Sequence, residues 1–164
     1  MLLTKPSSLE EKIEDMEFQF YRLQDNLKKI AKQWKVLGFE EYQDHKWVVV
    51  SVVDDANVCK IMLNTCEQSF LGHWDFTIQA QYLNDYTIHI GDIIGQPNKG
   101  FGSICMRYLK EYASSKNIQI IEGDIAKRDW GHLDRLTHFY KKHQFQIELD
   151  NENKQGKIIC NPHL

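Results

Sequence analysis

Gln96-Pro97-Asn98-Lys99-Gly100-Phe101-Gly102-Ser103 joins an alternating, strand-like run over residues 86–90 to a helix-like run over 104–113. A glycine-rich turn from strand to helix lets successive backbone N–H groups converge. The first turn of the following helix adds unpaired donors and the positive end of its dipole. A diphosphate is the ligand such a turn suits. It is not a nucleoside triphosphate loop, because Phe101 and Gly102 stand where that motif needs Lys and Ser/Thr. Nor is it a dinucleotide fingerprint, because Cys105 follows Gly102 where a third glycine is required.

Gly100 and Gly102 resemble the Gln/Arg-x-x-Gly-x-Gly/Ala loop of the GNAT N-acetyltransferase superfamily, with Pro97 in the Gln/Arg place. About forty residues past Gly100, Phe139-Tyr140-Lys141-Lys142-His143-Gln144-Phe145 is similar to that family's Phe/Leu-Tyr-x-Lys-x-Gly-Phe signature at a helix end. Gln144 replaces its usual glycine, and Leu133 stands where many members carry asparagine. The resemblance covers residues 46 to 160. It implies that the loop holds the pyrophosphate of acetyl-coenzyme A on the main chain of Asn98, Lys99, Gly100, Phe101, Gly102 and Ser103. It also implies that the cofactor lies where the strand before the loop splays from its parallel neighbour, leaving main-chain donors at Asp92, Ile93 and Ile94.

Direct acetyl transfer from a thioester to an amine needs a held diphosphate, a donor for the developing oxyanion, a base for the amine proton and an acid for the leaving thiolate. Tyr140 matches the tyrosine that many family members place against the thiolate, and a phenol of pKa near 10 can protonate a thiolate of similar basicity. For the base, His89 lies on the strand before the loop, and histidine is the residue type that changes charge near neutral pH. Glu122 and Asp124 on the neighbouring strand are alternatives that need raised pKa values. Each of these four side chains could instead be packing or surface. His132, His138 and His143 suggest a metal, but separations of 6 and 5 do not put three ligands on one helix face. No metal site is expected.

A chain of 164 residues, 42% hydrophobic and 12% aromatic, suits one globular domain with a substantial core. The net charge of −3, with no basic cluster denser than Lys28-Lys29 or Lys141-Lys142, argues against a nucleic-acid partner. The four cysteines show no C-x-x-C spacing and are expected to be reduced. No segment has the length and apolarity of a signal peptide or a membrane helix, so a cytoplasmic protein is expected.

The elements that must position these residues follow from periodicity. Leu9, Ile13, Met16, Phe20, Leu23, Leu27, Ile30, Trp34 and Leu37 are spaced alternately by 4 and 3, a heptad seam that predicts one helix from Leu9 to Leu37. Pro6-Ser7-Ser8 would start it after a loose lead over residues 1–8, and Gly38 would cap it. Such a helix would be about 43 Å long, more than one face of this domain covers, and is expected to join two copies of the chain; the alternative is a helix lying on its own sheet. Strand-like runs follow at 47–53, 58–63, 72–83 and 86–94, then the loop and its helix. Residues 118–125 form the next strand, which strand-helix-strand order makes a parallel neighbour of the one before the loop. A last helix and a closing hairpin, 145–149 with 157–160, complete the chain. The fold class is α/β with a mixed sheet, resembling the GNAT acyl-CoA N-acyltransferase fold. Residues 1–40 form a helical extension and 41–164 the acetyltransferase-like domain. The expected activity is transfer from acetyl-CoA to a small-molecule or protein amine. The departures at Pro97, Leu133 and Gln144 leave open a catalytically weak or non-catalytic module acting through its helix.

Overall fold

The computed structural model describes residues 4–164, with side chains from Ser8 onward. The chain opens with α1 (Thr4–Gln33) and continues as β1 (Lys35–Gln43), β2 (Lys46–Asp54), β3 (Val58–Thr65), β4 (Phe76–Asn84) and β5 (Thr87–Gly95). After the glycine loop come α2 (Phe101–Ser115), β6 (Ile120–Ile125), a short 3₁₀ helix (Lys127–His132), α3 (Leu133–Lys142), β7 (Gln146–Asp150) and β8 (Gln155–Cys160). The eight strands make one sheet in the order β1-β2-β3-β4-β5-β6-β8-β7, antiparallel except where β5 and β6 run parallel.

The first helix departs from expectation at both ends. It is already helical at Thr4, so the lead over residues 1–8 is largely absent, its first three residues and the side chains up to Ser7 lying outside those described. It stops at Gln33 instead of Leu37, and the last residues of the expected extension are an edge strand, β1. Pairing with the valine-rich β2 outweighs the heptad pattern there, placing Leu37 and Tyr42 on the main core and Trp34 and Val36 beneath α1. Gly38 is therefore not a helix cap. A Cβ there would lie 2.5 Å from the Tyr108 hydroxyl oxygen, so the glycine permits close approach of β1 to α2. Arg107 fastens the same contact by donating to both carboxylate oxygens of Glu40, at 3.1 and 2.6 Å.

One sheet face packs Val48, Val50, Ile61, Leu63, Ile78 and Ile88 against Cys105, Met106 and Leu109 of α2 and Tyr140 of α3. The other face is covered by α1 only at the β1–β3 end, where Leu23 and Ile30 bury against Val49 and Cys66. Beyond it, Gln81, Asp124, Lys157 and Ile159 leave the outer face of the remaining strands exposed. This is the alternation of a sheet with one dry face and one largely wet face.

A polar strap holds α1 in place. Asn26 is fully buried; its Nδ2 donates to the Gln68 carbonyl at 2.9 Å and its Oδ1 accepts from the Phe70 N–H at 3.0 Å. Lys29 reaches Ser69 Oγ at 2.8 Å and Gln33 the Gly72 carbonyl at 2.9 Å. The connection between β3 and β4 is thus fixed through α1. Replacing the buried Asn26 with leucine would leave the Gln68 carbonyl and the Phe70 N–H without their side-chain partner. We predict a loss of about 2–4 kcal/mol, read as a lower urea midpoint at unchanged slope; a loss under about 0.5 kcal/mol would mean that the strap does not hold the helix.

Candidate functional site

The site is built where two strands part. β5 pairs with β6 only from Thr87↔Ile120 to Ile90↔Gly123, yet β5 continues beside β4 to Gly95↔Phe76 and β6 continues beside β8 to Ile125↔Gly156. A bulge at Gly91 lies at the point of separation, since Ile90 pairs with Ala80 but Asp92 with Gln79. Successive strand residues direct their backbone groups to alternate edges. Some of the N–H groups of Asp92, Ile93 and Ile94 therefore face the open side without a β6 partner.

The fork opens onto the glycine loop. Asn98 and Gly100 both hold left-handed backbone, φ 63° and 79°, an arrangement that turns adjacent N–H groups toward a common point. Gly100 precedes α2 with no side-chain cap, and the first turn of α2 carries no carboxylate. The first intrahelical bond runs from the Ile104 N–H to the Gly100 carbonyl at 3.2 Å, so the N–H groups of Phe101, Gly102 and Ser103 have no partner within the helix. A Cβ on Gly100 would meet nothing within 4 Å, so a ligand has room against the backbone. Gly95 is required by sterics: with φ 147°, its Cβ would collide with the Phe76 ring.

A cleft of about 510 Å³ runs along this loop, floored by Phe76, Ile93, Phe101, Leu136 and Phe139. Its rim carries Lys99 from the loop and Arg135, His138 and Lys142 from α3, against one carboxylate, Asp129. The α3 residues were missed in the sequence although their i, i+3, i+7 spacing places them on one helix face. Apolar floor, unpaired backbone donors and basic rim together fit a phosphorylated ligand with an extended apolar arm. The residues present thus fit coenzyme A.

Ser103 is tied to α3. Lys142 Nζ donates to Ser103 Oγ at 3.2 Å, and His143 Nε2 lies 3.2 Å from the same oxygen. Burial, with Lys142, Lys110 and Arg107 nearby, lowers His143 to about 4. A neutral imidazole then accepts from the Ser103 hydroxyl, leaving the Ser103 N–H to the cleft. Gln144 takes φ 63°, a left-handed conformation at the C-terminus of α3 that glycine adopts at no cost. Its side chain compensates, because Gln144 Oε1 and the His143 carbonyl, 2.5 and 2.9 Å away, both accept from the buried Lys110.

The three candidate bases meet at the base of the fork. His89 Nδ1 lies 3.4 Å from Glu122 Oε2, and His89 Nε2 lies 3.5 Å from Asp124 Oδ2, on the exposed sheet face. Tyr140 is elsewhere. It is 6% exposed, packs edge-on to Phe139 and Phe145, and does not line the cleft. Burial first, and Asp129 second, push its phenol up to about 12. His132 lies at the end of the 3₁₀ helix and His138 on the cleft rim. Among the described residues no group of three potential ligands has metal-binding geometry.

The depressed His143 sets a sign for pH dependence. The unfolded chain protonates this imidazole near 6.5, the folded chain near 4, so stability is lost as pH falls between those values. We predict that the His143 ring resonances stay flat from pH 8 to about 5.5, and that His143→Gln flattens the fall in stability below about pH 6.5. An imidazole titrating near 6.5 would contradict the buried, neutral assignment.

No family model matches the sequence. The chain is 51% identical over 150 residues to the uncharacterized protein YocC of Bacillus subtilis (strain 168), covering 92% of this chain and 90% of YocC. Among solved structures, spermidine N-acetyltransferase from Vibrio cholerae aligns at TM-score 0.52 and 15% identity over 66% of this chain and 67% of its own. The GNAT domain of S. lividans PAT aligns at TM-score 0.51 and 7% identity over 66% and 63%. The chain belongs to the same family as YocC, and its fold is that of the GNAT superfamily N-acetyltransferases.

Proposed function

We propose that the protein is an N-acetyltransferase that moves an acetyl group from acetyl-CoA directly to an amine. The parting of β5 from β6, opening onto an uncapped helix N-terminus with a basic rim, carries this reading. The fold of the superfamily agrees with it. In this reading Asn98 to Ser103 hold the pyrophosphate through their main chain, with Lys99, Arg135 and Lys142 adding charge. Bound acetyl-CoA supplies the thioester. An N–H of Asp92, Ile93 or Ile94 donates to its carbonyl oxygen as negative charge develops there.

Glu122 and Asp124 draw a cationic amine toward the fork, where it gives up one proton to solvent; His89 takes the second proton as the neutral nitrogen attacks, and the two carboxylates stabilise the imidazolium that forms. The nitrogen bonds to the carbonyl carbon, the carbon–sulfur bond breaks, and the thiolate takes a proton from the Tyr140 phenol, which does not line the cleft and must turn out from behind Phe139 to meet it. A phenol pushed up to about 12 remains protonated at neutral pH, as an acid must. The setting we propose is cytoplasmic, in keeping with four buried, free thiols; no helix of the described chain is long and apolar enough to cross a membrane. We further propose that the chain is a homodimer joined through α1.

Two variants test the reading. Gly100→Val puts a β-branched side chain at φ 79° and fills the space over the loop. Calorimetry should show acetyl-CoA binding to the unaltered chain and none to this variant, with the fold retained; no affinity in the unaltered chain at millimolar ligand removes the proposal. Tyr140→Phe should lower turnover by about 10²-fold with little change in cofactor affinity. Unchanged turnover would return Tyr140 to a purely structural role in the core.

A further inference from the structure

With coenzyme A in the cleft along the glycine loop, the acceptor reaches the fork from the opposite, outer face of the sheet, where His89, Glu122 and Asp124 stand. That face is open. The three side chains are 27%, 37% and 62% exposed, and Gln81, Asp92, Glu148 and Lys157 around them are exposed as well. From Asp124 a groove of about 630 Å³ extends to Glu148 and Leu149 of β7. The transfer chemistry uses its Asp124 end and leaves the rest without a role.

We infer that the acceptor is a lysine side chain of another polypeptide, carried on a segment whose further cations and apolar side chains lie along this groove. The inference rests on the acetyl-transfer reading for what happens at the fork, and on the groove for what docks beside it. A small acceptor finds little to hold it here. Small-molecule sites bury about 70–90% of their ligand, whereas an amine that reaches His89 across this open face keeps most of its surface in water. A polypeptide spreads its contacts over residues well away from the reacting nitrogen.

Charge selects a basic segment. The register sets Asp124, Lys157 and Glu148 in one row across β6, β8 and β7. With Asp92 and Glu122, the outer face of these strands and β5 carries four carboxylates against the single ammonium of Lys157. Lys60 stands two strands from β5, on β3, and Lys127 and Asp150, which also line the groove, offset one another in charge. Neighbouring strands lie about 4.8 Å apart, so Asp124 and Glu148 are separated by about 10 Å, the span of about three extended residues. A lysine at the fork therefore brings a cation three residues away to Glu148. Apolar ground lies beside these carboxylates: Leu149 in the groove is 41% exposed, and Ile159, across from Glu122 in the register, is 43% exposed. A linear polyamine matches the carboxylates but has no side chain to cover Leu149 and Ile159; a polypeptide supplies both.

The test compares a peptide of about nine residues with two small amines, Nα-acetyl-lysine amide and spermidine. The peptide is blocked at its N-terminus and has one central lysine, with arginine three residues away and leucine four residues away on each side. Fluorescence anisotropy should show it binding the full chain in the presence of coenzyme A, and kcat/KM for its acetylation should exceed that of either small amine by about tenfold or more. Glu148→Lys, at an exposed position outside the transfer machinery, should lower the peptide's kcat/KM about tenfold and leave that of the blocked lysine within about twofold. Lys157→Glu should raise the peptide's kcat/KM about threefold or more, a change of opposite sign that misfolding would not give. A small amine acetylated as well as the peptide, or indifference to both substitutions, overturns the inference and leaves acetyl transfer standing. Peptide binding with this charge dependence, but no acetylation of any acceptor, removes the transfer reading and leaves the docking surface. Neither binding nor acetylation overturns both.

Discussion

The departure of β6 from β5 after Ile90 and Gly123 is the constraint on which the site depends. Each strand follows its other neighbour: β5 stays with β4 as far as Gly95, and β6 stays with β8 as far as Ile125. A sheet interior normally satisfies every backbone donor. Here the ladder is open to water on one side, and a donor that has only water as partner can exchange it for a ligand oxygen at little cost. The bulge at Gly91 fits the same geometry, because it re-aims the strand at the place where pairing stops.

Charge is arranged around this opening from two directions. The backbone supplies fixed partial positive charge through the uncapped start of α2 and the left-handed turn at Asn98 and Gly100. The side chains of Lys99, Arg135, His138 and Lys142 add to it from across the cleft. On the wet face of the sheet the sign reverses, with Glu122 and Asp124 flanking His89. An anionic ligand on one side of the fork and a cationic amine on the other would each find the field that favours it. The four thiols are buried, and burial pushes Cys59 and Cys105 up to about 12, and Cys66 and Cys160 to about 11.

The local features of this site were legible in the sequence. Gly100 and Gly102 marked the loop, and strand-helix-strand order gave the parallel pair, because both are properties of short segments. The β1 strand was hidden, since Trp34 and Leu37 continue a heptad seam and only pairing with β2 decides against helix. The role of Gln144 was hidden for a similar reason. As a departure from glycine it reads as damage, yet the buried Lys110 accounts for the side chain that stands there. The basic face of α3 was readable by its spacing and overlooked. His89, Glu122 and Asp124 were placed on their strands, but only the register His89↔Glu122 brings them to one point. Tyr140 is a motif position in the sequence and a core aromatic in the structure.

The central claim is that the fork and the loop hold one ligand by their main chain. Amide chemical shifts recorded while acetyl-CoA is titrated into the full chain test it most directly. The account predicts that the amides of Asp92 to Ile94 and of Asn98 to Ser103 shift together and saturate at one stoichiometric equivalent, with Arg135 and Lys142 following. Unmoved amides at both segments, under saturating acetyl-CoA, would contradict it.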